Sequence, residues 1–314
     1  MEAPILQIRR EAKETLKGNW GTAIGMMFTE FGIYYGFSMV LGIFAYIFGF
    51  IVVIATLLPA LTRGSFDVSD VTATMVVIWA VAAFVILALI VVGASVCYSL
   101  TIGKNAWFLG IAKGEKPKFG VLFSWFFKAK KTVKSIKLYY WRVLFSFLWS
   151  FILIVPAGVL GGVASFFATK MEEGISLTSD VSSITMLMLF GGMFLLFICY
   201  LIYIVIIQRY ALANYLLVDD ESRTAKGAMD LSVKLMKGRA FDIVLLFLSI
   251  LGLVLIPYAT MIVGYILAFA LKAVLIGMLM YCLSFLALIG LMIYFYPWFE
   301  MAIAKYTLWA IARQ

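Results

Sequence analysis

Histidine is absent from all 314 residues, which removes the commonest general base, proton relay and metal ligand together. Cysteine is scarce: Cys97, Cys199 and Cys282 all lie inside apolar runs. None has the close spacing of a zinc pair or the exposed setting of a disulfide. They read as small buried hydrophobes and leave the redox compartment open. Charge is scarce as well, at 13% of residues. No paired carboxylates and no thiol in a polar setting are available for catalysis. Residues 110–116 have the look of a phosphate loop, but no Ser or Thr follows Lys116, and Pro117 stands where such a loop needs a helix. These absences argue against an enzyme, and no cofactor or metal site is expected.

What is present is apolar length. Hydrophobic residues make up 65% of the chain and the mean hydropathy is +1.07, which excludes a soluble domain of this size. A helix of about 20 apolar residues crosses a bilayer. Six such stretches occur, at 21–58, 71–102, 138–168, 184–207, 243–271 and 273–296. The expected fold is therefore all-α: one integral membrane domain over 1–314 with six transmembrane helices. The first run is too long for one perpendicular crossing and should tilt or begin at the interface. Pro156, with Gly161 and Gly162, should bend or end the third span. Residues 1–20 alternate charged and apolar side chains and do not form a cleavable signal, so the first span is expected to direct insertion.

Basic residues set the orientation. Of the 25 Lys and Arg, only Arg63, Lys170 and Lys272 fall in the first, third and fifth connections. The positive-inside bias therefore places both termini in the cytoplasm. The net charge of +9 lies beside the spans, so the expected partners are membrane lipids, anionic ones above all, and not nucleic acid. A protein partner at the cytoplasmic face is the other candidate.

Three cytoplasmic segments read as amphipathic helices. In the first, Ile5, Ile8, Ala12 and Leu16 recur at helical spacing with Arg9, Arg10, Lys13 and Lys17 between them. In the second, over 119–137, an apolar stripe from Phe119 to Ile136 alternates with Lys128, Lys131, Lys134 and Lys137. The third is expected to start at Asp219, Asp220, Glu221 and Ser222 and to stop at Gly238. Helices of this type lie in the interface and grip anionic lipid, or pack as caps on the bundle. Each is followed by two spans, which suggests three helical hairpins and possible pseudo-repeats over 1–118, 119–224 and 225–314. A lysine and then an aromatic close each amphipathic segment: Lys17 and Trp20, Lys137 and Trp141, Lys237 and Phe241.

Several segments resemble DUF975, a family of bacterial integral membrane proteins of unknown function. The residues that carry the resemblance begin with Arg10, Ala12, Leu16, Lys17, Gly18, Asn19, Trp20, Ala23 and Ile24. The stretch 210–219 (YALANYLLVD) follows, then Ser232 with Leu235, Met236, Lys237 and Gly238, and at the end Tyr296, Pro297 and Tyr306. The region after Gly238 departs from the pattern, because Pro257 and Lys272 divide a longer apolar stretch. The resemblance implies a membrane location and a bacterial host, but no activity.

The candidate ligand contacts are Lys17, Trp20, Lys137, Trp141, Lys237 and Phe241, a cationic and aromatic collar suited to a headgroup-plus-tail molecule. An ordinary aromatic belt with a positive-inside bias would place the same residues there. Glu30 is a possible intramembrane charge, read as a structural pair or a substrate contact. Lys272 should snorkel at the outer turn, and Glu300 and Lys305 should lie at the interface after the last span. Gly32, Gly36, Gly42, Gly191 and Gly192 are expected to let helices pack closely. The first functional expectation is a non-enzymatic protein that binds or moves a lipid or other amphipathic molecule. The alternative is a membrane scaffold, assembly or immunity-type protein that docks a partner in the cytoplasm. A coupled ion transporter would need more intramembrane acids or broken helices.

Overall fold

The computed structural model describes residues 5–62, 72–172, 179–270 and 272–313. Residues 63–71, Arg63 included, and 173–178, within the first and third connections, and the side chain of Lys170 lie outside the described residues. The helices run into both connections as far as Thr62, Glu172 and back to Ser179. Among the described residues the elements are helices: α1 (Ile5–Thr15), α2 (Trp20–Thr62), α3 (Thr72–Ala112), α4 (Ala129–Glu172), α5 (Ser179–Ile207), α6 (Ala213–Asp219), α7 (Ala225–Leu235), α8 (Ala240–Phe269) and α9 (Val274–Ile311). Short 3₁₀ turns occupy Phe119–Phe123 and Gln208–Tyr210.

Among the described residues, six segments are long and apolar enough to cross a membrane: Trp20–Ile54, Val76–Ala112, Ala129–Leu153, Phe190–Asp219, Gly252–Phe269 and Val274–Ile311. The chain is a multi-pass membrane protein. Helices adjacent in sequence pack in pairs, α2 with α3, α4 with α5 and α8 with α9. In the most apolar stretch of each span no more than 11% of the residues are buried by protein, and the rest are half-buried or exposed. That is what a lipid-embedded helix can do at no cost, since a hydrocarbon solvent does not drive Leu or Phe into a core.

The protein core lies at one end of the spans. Buried side chains from α1 (Ile8, Ala12), α3 (Trp107, Phe108), the 3₁₀ turn (Leu122), α6 (Tyr215, Leu216), α7 (Ala228, Met229) and α9 (Met301, Tyr306) form a single cluster. This cap exists because two helices continue past their apolar runs. The apolar run ending at residue 102 continues as helix to Ala112, and the run ending at 296 continues to Ile311. Both extensions carry Trp, Phe, Ile and Ala that need burial once they leave lipid. The apolar stripes of α1 and α7 also face this core, with Ile8, Ala12 and Leu16 at 3%, 0% and 0% exposure. They pack as caps, and their basic residues Arg10, Lys13 and Lys234 point outward.

The middle segment differs from the expected separate helix at 119–137. Residues 119–123 form a 3₁₀ turn, and α4 runs unbroken from Ala129 through Lys137 and Pro156 to Glu172. The cause lies in one residue type. After Lys17 and Lys237 stand Gly18 (φ +82°) and Gly238 (φ +74°), which take the left-handed conformation that ends α1 and α7. The same turn follows in both places: Asn19 N–H donates to Leu16 O at 2.9 Å, and Arg239 N–H donates to Met236 O at 3.0 Å. Leu138 follows Lys137 instead, and nothing stops the helix.

Other expectations also shift. The true N-cap of α7 is Thr224, whose hydroxyl accepts from Gly227 N–H at 3.0 Å. Asp219, Asp220 and Glu221 point to three different partners, Lys113, Ser222 and Lys131. Gly114 (φ +85°) ends α3 within the 110–116 segment. Gly32, Gly36, Gly42 and Gly191 meet no neighbour, whereas a Cβ at Gly103 would collide with the Leu122 carbonyl. Close approach is thus needed where α3 passes the 3₁₀ turn, and where Gly264 of α8 meets Gly277 of α9. Lys272 is exposed at the turn between those two helices.

Candidate functional site

At the junction of cap and spans, three helices each turn two polar side chains inward at a spacing of three or four residues, which puts each pair on one face. These are Glu30 and Tyr34 on α2, Thr101 and Lys104 on α3, and Tyr296 and Glu300 on α9. Lys104 is wholly buried. Its ammonium meets Glu30 Oε2 at 2.9 Å and donates to Glu300 Oε1 at 2.8 Å and Tyr296 Oη at 2.6 Å. An ammonium has three N–H donors, and all three are used.

The carboxylates are held in turn. Thr101 donates to Glu30 Oε1 at 2.6 Å, with the Tyr34 hydroxyl 3.3 Å from Thr101. Tyr215 of α6 donates to Glu300 Oε2 at 2.5 Å. A neighbouring chain of hydrogen bonds joins Arg142 Nη1 on α4 to Tyr98 Oη (3.1 Å), and Tyr98 Oη to Asn214 Oδ1 (2.6 Å). Five helices are therefore tied together here by polar groups. Removing one partner of such a buried ion pair leaves an uncompensated charge.

Glu30 is thus paired, the structural alternative raised by its sequence position. Glu300 is not a free interfacial residue, because Lys104, Tyr215 and Tyr296 enclose its carboxylate. Lys305 is also engaged, donating to Ala112 O at 3.0 Å. Lys104 stands just past the apolar run that ends at residue 102, yet it is the centre of the network. The signal that could have found it is the helical pattern continuing through Trp107, Phe108 and Leu109.

Two grooves flank the network. The first, about 490 Å³, lies between α2 and α9 and is lined by Met27, Phe28, Glu30, Phe31, Tyr34, Met292, Ile293 and Tyr296. The second, about 360 Å³, lies under α1. Its wall is Leu253, Leu291, Tyr294, Phe295 and Trp298, and its rim is Leu6, Arg9, Arg10 and Lys13. Trp298 Nε1 donates to Arg9 O at 3.4 Å, and the Arg9 guanidinium sits 5.9 Å from the Trp298 ring centre.

The six collar residues do not converge on either groove. Lys17 and Lys237, in the turns after α1 and α7, and Lys137, on α4, are exposed and lie apart in the chain. Trp20 stacks on Tyr294 at 4.9 Å, behind the second groove. Trp141 stacks on Phe145 at 5.7 Å and carries Lys226 Nζ 5.4 Å over its ring. Phe241 is half exposed.

Over residues 1–309 the chain matches the model of a family described as a protein of unknown function, DUF975. It belongs to that family. No curated protein and no solved structure matches it. The DUF975 residues quoted from the sequence fall on the cap and its network. Tyr215 and Tyr296 hold the ion cluster, and Asn214 accepts from Tyr98. Asp219 pairs with Lys113 at 2.8 Å. Ser232 donates to Arg209 O at 2.7 Å, and Tyr306 donates to Asp242 Oδ2 at 2.7 Å.

Proposed function

We propose that this DUF975 protein is a non-enzymatic component of the bacterial cell membrane that binds or moves an anionic amphiphile, with both termini and the cap in the cytoplasm. The observation that carries the reading is the groove under α1. Arg9, Arg10 and Lys13 stand over a wall of Leu253, Leu291, Tyr294 and Phe295. A headgroup at the basic rim and an acyl tail along the wall satisfy both surfaces. The exposed Lys17, Lys137 and Lys237 extend the positive field around the same end. Among the described residues Glu30, Lys104 and Glu300 bind one another, which favours a binding role over catalysis. Three hairpins, each entered from a cytoplasmic segment, are the plan that fits the helix pairs.

Lys or Arg near an anionic surface contributes about 1 kcal/mol each. Replacing Arg9, Arg10 and Lys13 together by Ala should therefore reduce phosphatidylglycerol retained by the purified protein, read by native mass spectrometry, by about a hundredfold. A second variant with Lys17, Lys137 and Lys237 changed to Ala tests the outer ring. Stoichiometric lipid retained in both variants, or none in the wild type, would remove the lipid reading. The scaffold alternative would then lead, because the basic outward faces of α1 and α7 suit an acidic protein partner. Orientation has its own test in a variant lacking the three native cysteines. A cysteine at Ser65 should react with an impermeant thiol reagent on intact cells, and one at Ser222 should not.

A further inference from the structure

We infer that the groove between α2 and α9 is a separate site for a hydrophobic cation, such as a protonated amine or an onium ion carrying apolar groups. Its lining contains aromatic faces from Phe28, Phe31, Tyr34 and Tyr296 and one charged group, the Glu30 carboxylate. Phe28 and Phe31 are 57% and 68% exposed, so the groove opens outward among the apolar surfaces of the spans. A ligand dissolved in the lipid can enter from the side.

The sign of the ligand follows from the charges. Glu30 and Glu300 share the ammonium of Lys104, and the Arg142 guanidinium of the adjoining chain stands nearby, so the cluster is balanced and the sign rests on which charge faces the groove. Lys104 is 0% exposed, shut behind Tyr296, whereas the Glu30 side chain keeps 10% exposure. What the groove presents is therefore a carboxylate framed by aromatic rings. Ring faces attract cations, most strongly when water is excluded, and the low-dielectric surroundings strengthen the pull of Glu30. An anion would meet no accessible positive group there. A bare divalent metal fits poorly, because it needs six or more oxygen ligands and the groove offers one carboxylate and two phenols. The volume of about 490 Å³ lies in the range of small-molecule sites.

The test uses two ions of the same shape and opposite charge, tetraphenylphosphonium and tetraphenylborate. Binding to the full chain in nanodiscs is measured by equilibrium dialysis, with partition into empty nanodiscs subtracted. The wild type should take up tetraphenylphosphonium with saturation and bind tetraphenylborate at least about tenfold more weakly. Glu30→Gln should lower cation affinity by about tenfold or more. Met292→Trp, which fills the groove without touching the ion network, should abolish the saturable component. The Arg9, Arg10 and Lys13 triple alanine variant should bind the cation as the wild type does, which separates this site from the groove under α1. Equal affinity for both ions, or cation binding unchanged in Met292→Trp, overturns the inference. If Glu30→Gln does not yield folded protein, the Met292→Trp result decides alone.

Discussion

The cap is built from charged, amphipathic segments and the spans from near-uniform apolar runs, and the two are held together by different means. In the cap, Trp107, Trp125, Tyr215 and Tyr306 are almost fully buried, and polar side chains bridge helices. In the spans, Phe147, Phe194, Leu255 and Met278 stand more than half exposed. The difference follows from the solvent each region meets. Water drives apolar side chains of the cap into a core at about 25 cal/mol per Å². Lipid supplies no such force, so the spans keep contact through pairwise packing and through the ion network at their junction with the cap.

Stability measurements separate the two regions. The largest effect is expected at Lys104→Met, which strands two buried carboxylates and should cost about 3–5 kcal/mol by denaturant titration in detergent. Restoring neutrality with Glu30→Gln and Glu300→Gln in the same chain should recover a large part of that loss. Trp107→Ala removes a fully buried ring from the cap and should cost about 3–5 kcal/mol. Phe194→Leu, on the outward face of α5, should stay within about 0.5 kcal/mol of wild type. Equal losses for the last two would mean that the spans possess a core of their own.

Smaller effects sharpen the picture. Gly18→Ala has open space for its methyl group, so only the left-handed backbone resists it, at about 1–2 kcal/mol. The same change at Gly120, which lacks a positive φ, should be milder. Asp220 is held below its usual carboxylate range by hydrogen bonds from the Ser222 hydroxyl and amide. A depressed carboxylate stabilises the folded state above its unfolded pKa, and the contribution is lost as pH falls through the folded value. Amide exchange at 220–224 should therefore accelerate only on acidification below the usual carboxylate range. No change there would place the turn under other control.

The six spans were legible because a run of twenty apolar residues has few other uses. Glu30 was visible as a charge out of place. Lys104 and Glu300 were not, because apolar counting stops at the first charge after a span and treats it as loop. Only the helical phase of Thr101, Lys104, Tyr296 and Glu300, read across the end of the apolar run, places them inside. The second amphipathic stripe misled for a related reason. Periodicity over 119–137 reports one apolar face, but it does not say where a helix begins, and residues 119–123 satisfy it as a 3₁₀ turn.

The left-handed glycines have a mechanical consequence. α1 joins its span through residues 16–19, and α7 joins its span through 236–239, each across one glycine joint. α4 has no such glycine turn: its 44 residues run as one continuous helix with Pro156 inside it, roughly 66 Å long at 1.5 Å per residue, against a hydrocarbon layer of about 30 Å. Two arms of the cap are thus hinged and the third is a strut. A displacement of α1 or α7 has a glycine turn to take it up, whereas one at Ala129 meets unbroken helix as far as Pro156.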